Sequence, residues 1–246
     1  MSTENDLLPQ PEKKIVVRNN GPYRVKGGIP LVRKTQVVSE LGEPLTWKLE
    51  GVIETAEGEY ELCRCGLSAN FPFCDDTHKR VPFDGSEDAS IRTTAQRQLT
   101  LTGSTGIIVK KDPPLCMFSG FCAMDKATFN QIVESTADTK MRSLVIAMIE
   151  RCPSGSLTYH FEDGEPDIEP DLPQQIAVTV EITAEGPIHG PLWVTGYIPV
   201  ERADGRPFET RNRVTLCNCG KSNQKPLCDG THRSDPDRLI KKEKSI

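Results

Sequence analysis

The string "CRCGLSANFPFCDDTH", from Cys63 to His78, returns as "CNCGKSNQKPLCDGTH" from Cys217 to His232. Each copy reads C-x-C, eight residues, C, three residues, H. Three cysteines and a histidine crowded between Gly and Pro form a metal-donor set. The C-x-C step puts Cys63 with Cys65, and Cys217 with Cys219, on one short segment. Cys74 and His78, like Cys228 and His232, are four residues apart, a spacing that shares one face of a helical turn. Gly66 and Gly220 permit a sharp turn after C-x-C, and Gly230 permits positive φ. Pro72 and Pro226 stiffen each loop two residues before its third cysteine.

The repeat extends beyond the donors. "GPYRVKGGIPLV" from Gly21 matches "GPLWVTGYIPV" from Gly190, and β-branched runs precede both, "KIVVRN" and "IAVTVEI". "EYELCRC" and "RVTLCNC" then lead into the cysteines as strands. One β-rich module therefore occurs twice. The first copy carries a longer insertion, "TWKLEGVIETAEGEY", expected to form an extra hairpin.

Between the copies, "GIIVKK" and "SLTYHF" read as strands and "DKATFNQIVEST" and "TKMRSLVIAMIER" as helices. Cys116 and Cys122 sit in "CMFSGFC", and Cys152 opens "CPSG". The acidic, proline-rich "EDGEPDIEPDLPQQ" reads as the linker to the second copy. The expected organisation is a disordered tail over 1–14, a first module over 15–90, a middle domain over 91–170 and a second module over 171–246.

Composition fits small units that need a metal staple. Only 36% of the 246 residues are hydrophobic, and Gly and Pro number 19 each. The polar N-terminus lacks the apolar segment of a signal peptide, and no apolar run would span a membrane, so a cytoplasmic protein is expected. In that compartment clustered cysteines are ligands more often than disulfides, and nine is an odd count. A net charge of −5 does not favour nucleic acid as a partner.

The paired strings resemble the CDGSH (NEET) iron–sulfur family, C-x-C-x2-[ST]-x3-P-x-C-D-G-[STA]-H. The second copy matches at Cys217, Cys219, Ser222, Pro226, Cys228, Asp229, Gly230, Thr231 and His232. The first matches at Cys63, Cys65, Ser68, Pro72, Cys74, Asp75, Thr77 and His78, and departs at Asp76, where the family has Gly. Asp is among the residues that tolerate the left-handed region. The resemblance implies a [2Fe-2S] cluster on three Cys and one His in each copy. It also implies an α+β chain whose two β-rich modules form an intrachain pseudo-dimer, in which strands could be exchanged between copies, with the middle domain inserted. Structural zinc is the alternative for a Cys3His set.

The middle segment resembles single-cluster bacterial ferredoxins, with Ser119 where their second cysteine stands. A ferredoxin-like domain holding a [3Fe-4S] cluster on Cys116, Cys122 and Cys152 is implied. [4Fe-4S] is the alternative, with Ser119, water or another outside ligand on the fourth iron. Three buried free cysteines would be the ordinary explanation.

The expected function is electron transfer to or from redox protein partners, a reductase, an oxidase or an apo-ferredoxin, by a monomer that is not an enzyme. A cluster carrier or redox and pH sensor is the rival. The 107–170 segment has ten acidic and six basic residues, and 176–246 has nine and eleven, a bias that could orient docking. Asp76 is expected to give the His78 site the lower potential and the earlier cluster loss on acidification. His160, His189, Trp47 and Trp193 read as packing or surface residues.

Overall fold

The computed structural model describes residues 12–124 and 127–240. The expected tail over residues 1–11, the Lys-rich C-terminal "KKEKSI", which reads as a frayed, solvated tail, and the first two residues of "DKATFNQIVEST" lie outside them.

The first copy contributes β1 (Lys14–Val17), β2 (Tyr23–Lys26), β3 (Leu31–Val38), β4 (Pro44–Ile53) and β5 (Glu59–Leu62). The second contributes β9 (Gln175–Thr183), β10 (Gly186–Thr195), β11 (Val200–Glu201) and β12 (Arg213–Leu216). Between them lie α1 (Thr94–Arg97), β6 (Leu99–Thr100), β7 (Ile108–Lys111), α2 (Phe129–Glu134), α3 (Thr139–Arg151) and β8 (Leu157–His160). β1 and β2 alternate buried and half-buried residues, as strands with one face on a core do.

The copies exchange strands. One sheet runs β11-β1-β2-β5 and the other β12-β10-β9-β3-β4, so the first holds β11 from the second copy and the second holds β3 and β4 from the first. The exchange is reciprocal. Ile15 faces Val200 in one parallel pair, and Leu31 faces Ile176 in the other. The Ile15 amide donates to Pro199 O and the Ile176 amide to Pro30 O, both at 2.9 Å. A single core results, with Ile15, Tyr23, Leu31, Ile176, Leu192 and Leu216 from both copies. Each large apolar side chain buried there contributes about 1.5–3 kcal/mol. Neither copy can keep this core alone, which makes the pseudo-dimer one body.

The insertion in the first copy departs from the expected self-contained hairpin. β4 pairs back on β3, and the chain then turns into β5, which pairs with β2. β1 begins at Lys14, the last residue of the expected tail.

The middle domain has its own core, of Ile107, Val109, Ile132, Val145, Ile149 and Tyr159 among others, under the sheet β6-β7-β8. Asp138 caps α3 by accepting from the Lys140 and Met141 amides, and Val145, Met148 and Ile149 form its buried face. α3 ends at Cys152. There the fully buried Arg213 of β12 donates to the carbonyls of Ile149, Glu150 and Cys152 at 2.7–2.9 Å. A cation on these last carbonyls satisfies orphan acceptors and opposes the helix dipole. The strand leading to the second donor set thus holds the helix that ends on a middle cysteine.

No helix among the described residues is long and apolar enough to cross a membrane.

Candidate metal centres

The two CDGSH-like loops are built alike. The amide of Cys63 donates to Pro72 O and that of Cys217 to Pro226 O, both at 2.8 Å. Cys74 N donates to Glu61 O and Cys228 N to Thr215 O, both at 2.9 Å. Ser68 and Ser222 hydroxyls donate to the carbonyls of Phe73 and Leu227. Asp75 and Asp229 each accept two backbone amides, and the Thr77 and Thr231 side chains, with those amides, hold both carboxyls below their ordinary range. Pro72 and Pro226 are both cis. Asp76 takes the left-handed conformation at φ 65°, as Gly230 does at φ 85°, so the departure from the motif leaves the backbone path intact.

In each loop the donors fall into two pairs. The Sγ atoms of Cys63 and Cys65 are 3.7 Å apart, and those of Cys217 and Cys219 are 3.6 Å apart. Cys74 Sγ lies 3.4 Å from His78 Nδ1, and Cys228 Sγ 3.4 Å from His232 Nδ1. A single tetrahedral zinc would gather all four donors closely. Among the described residues, however, the only set of three or more potential ligands within 4.8 Å of one another is Cys74, Asp76 and His78. Two pairs suit two irons. The contact between the two thiols of each C-x-C favours ionisation of the first and opposes that of the second. Burial pushes Cys74 and Cys228 up, so metal must displace their protons.

The copies differ around histidine. His232 is buried, and its Nε2 lies 2.9 Å from Oε1 of Glu181, which is itself fully buried. The other Glu181 oxygen accepts from Arg233. His78 is half-buried, and no hydrogen bond to its Nε2 forms among the described residues. Asp76 points to solvent with 61% of its side chain exposed, and it pairs with Lys79 at 3.0 Å. Nothing in the donor strings announced Glu181, which lies 51 residues before His232.

Cys116, Cys122 and Cys152 line one cavity of about 330 Å³, with Met117, Ser119, Phe121 and Leu157 among its walls. Their sulfur atoms do not all lie within 4.8 Å of one another. Burial pushes the Cys122 thiol up to about 11 and raises Cys116. Gln36 of β3 pins this loop by donating to Ser119 O at 3.2 Å and accepting from the Ile182 amide.

The three donor loops touch. A methyl group placed on Gly66 would lie 2.7 Å from Cys219 O, and one on Gly220 2.7 Å from Cys65 O. On Gly230 it would lie 2.8 Å from Met117 O. Glycine at these positions lets one donor loop lie against the next.

The family model described as "Iron-binding zinc finger CDGSH type" matches residues 20–79 and 189–233. The model described as "Divergent 4Fe-4S mono-cluster" matches 103–162. The chain is a tandem CDGSH protein with an inserted mono-cluster domain. It is therefore an iron–sulfur protein. No curated protein matches the chain significantly. Both CDGSH matches span a complete donor string, and the mono-cluster match spans the three middle cysteines. His160 and His189 are packing residues. His160 bonds Asp167 at 3.0 Å, and His189 stacks on Phe71 and is held down to about 4, chiefly by burial. Trp47 packs against Trp193 and Phe121.

Proposed function

We propose that this tandem CDGSH protein transfers electrons between redox protein partners in the cytoplasm, as a monomer with no substrate of its own. Cys63, Cys65, Cys74 and His78 would hold one [2Fe-2S] cluster, and Cys217, Cys219, Cys228 and His232 a second. Cys116, Cys122 and Cys152 would hold a [3Fe-4S] cluster. Such clusters, when bound, gain and lose single electrons without a change in the bonds of a substrate.

The observation that carries the proposal is the contact between donor loops. The middle loop abuts the second CDGSH loop at Met117 and Gly230, and the second abuts the first at Cys65, Gly66, Cys219 and Gly220. Only backbone in close contact separates neighbouring donor sets. Arg213 and Gln36 fix the middle loop against this arrangement.

A [4Fe-4S] middle centre is the second reading. It is favoured by the matching family's description and by Ser119, which lines the same cavity. Cluster delivery is a third. It is favoured by the half-buried Cys74 and His78 of the first copy.

Anaerobic purification with iron, sulfide, zinc and EPR analysis tests the proposal. Two nitrogen-ligated [2Fe-2S] signals and an oxidised three-iron signal are expected. Stoichiometric zinc without sulfide would refute it. Reduction without cluster loss, and no transfer to an apo-ferredoxin, separates electron transfer from delivery.

A further inference from the structure

Among the described residues a carboxylate hydrogen-bonds to the histidine of one copy and not to that of the other, for a reason visible in the chain path. β9 and β1 are equivalent strands. Val178 faces Leu192 as Val17 faces Tyr23. Three residues on, the first copy has Asn20 and the second Glu181. At Asn20 the chain turns back at once, with the Gly21 amide donating to Arg18 O, and the Asn20 side chain accepts from the Gly85 amide. In the second copy β9 runs on to Thr183 before β10 returns, which carries Glu181 over His232. Gly190 stands at the register shift opposite. A methyl group there would lie 2.9 Å from Glu181 Oε1, so glycine leaves room for the carboxylate.

We propose that Glu181 is a positioning residue for His232. It holds the ring with Nε2–H on the carboxylate and Nδ1 free, and it makes the His232 site the more retentive and lower-potential of the two CDGSH sites. This rests on the cluster assignment proposed above. Nδ1 is the nitrogen facing Cys228, so the tautomer that Glu181 selects is the one that ligates. A carboxylate on the far nitrogen also strengthens the donor and adds negative charge beside the centre, and both effects disfavour an added electron. Arg233, bonded to the other oxygen, keeps the buried carboxylate paired and oriented. Among the described residues no carboxylate bonds His78 Nε2, and its ring is only half-buried. The first site is then the exchangeable one and the second the fixed one.

The test uses the full chain with His78→Cys as a background, so that the first site is all-thiolate and spectroscopically distinct. Redox titration followed by EPR, and iron release to a chelator, are measured with and without Glu181→Gln. Glu181→Gln should raise the potential of the His232 site and speed its iron release about 10- to 100-fold, the range for lost outer-shell partners of metal histidines. The first site should not move. Glu181→Asp, which keeps the charge, should stay closer to the parent in potential. An unchanged His232 site in Glu181→Gln, equal shifts at both sites, or equal failure of Gln and Asp variants would overturn the inference. A parent protein with no nitrogen-ligated centre would instead overturn the cluster assignment and this inference with it.

Discussion

Gly230 and Gly205 share a backbone conformation, at φ 85° and 84°, and differ in what surrounds them. Nothing lies within 4 Å of a methyl group built on Gly205. On Gly230 the same methyl would meet Met117 O at 2.8 Å and Phe118 Cδ2 at 3.0 Å. Gly205→Ala therefore reports the left-handed strain alone, about 1–2 kcal/mol. Gly230→Ala adds overpacking against a backbone carbonyl, about 1–3 kcal/mol more. Relief requires Met117 to move, and Met117 adjoins Cys116. Two readouts follow. Urea midpoints at constant slope should place Gly230→Ala below Gly205→Ala by that second amount. EPR should show loss at the middle centre in Gly230→Ala only. If the two variants agree within about 0.5 kcal/mol and the middle centre survives in both, the donor loops do not bear on each other as described.

Arg213→Met should cost about 3–5 kcal/mol, because it strips two α3 carbonyls and that of Cys152 of their donor and leaves Glu169 without its partner at 2.9 Å. Thermal melts and the middle-centre signal check this, and an unaffected middle centre would contradict the link through Cys152. Ser119→Cys should convert the middle centre to a four-iron cluster, since Ser119 already lines the cavity. Iron counting and the loss of the oxidised three-iron signal are the measurements. Asp76→Gly should change stability by less than about 0.5 kcal/mol, because relief at φ 65° offsets an exposed ion pair. A larger loss in chemical denaturation would give the Asp76–Lys79 pair a role that its exposure denies.

The donor strings were legible because their chemistry is local. Cysteines two residues apart, and a cysteine and a histidine on one turn, meet whatever the rest of the chain does. The helix α3 was legible for the same reason, with its apolar face at Val145, Met148 and Ile149. Strand exchange was only a possibility, since pattern fixes which residues form β1 and β11 but not that Ile15 pairs with Val200 across the copies. The β3–β4 pairing was misread because "TWKLEGVIETAEGEY" contains its own turn, while the partner of its first strand lies upstream. Gln36, Arg213 and Glu181 were missed as long-range contacts. Glu181 did leave a trace, a charged residue inside the β-branched run "IAVTVEI".

That trace reverses the order of potentials that Asp76 suggested. Asp76 and Glu181 each place one negative charge near a histidine ligand. Glu181 lies 2.9 Å from the ring, and adding the imidazole and a metal–nitrogen bond of about 2 Å puts it about 7 Å from a bound metal. Asp76 lies within 4.8 Å of both Cys74 and His78, a similar range. Distance therefore does not separate them, and surroundings do. At about 7 Å a charge interacts by about 2.4 kcal/mol at an effective dielectric near 20, and by about 0.6 kcal/mol in water. For one electron these are about 100 mV and about 25 mV. Asp76 belongs near the lower figure, and Lys79 at 3.0 Å cancels part of it. Arg233 reduces the Glu181 figure as well, though it lies on the far side of the carboxylate from the ring. The His232 site is accordingly expected to have the lower potential, by tens of millivolts. Asp76→Gly should leave that order in place, and Glu181→Gln should narrow the gap or invert it. Titration with EPR of the parent and both variants decides. A His78 site that is lower in the parent, and that rises past the His232 site in Asp76→Gly, would mean that the exposed carboxylate governs after all.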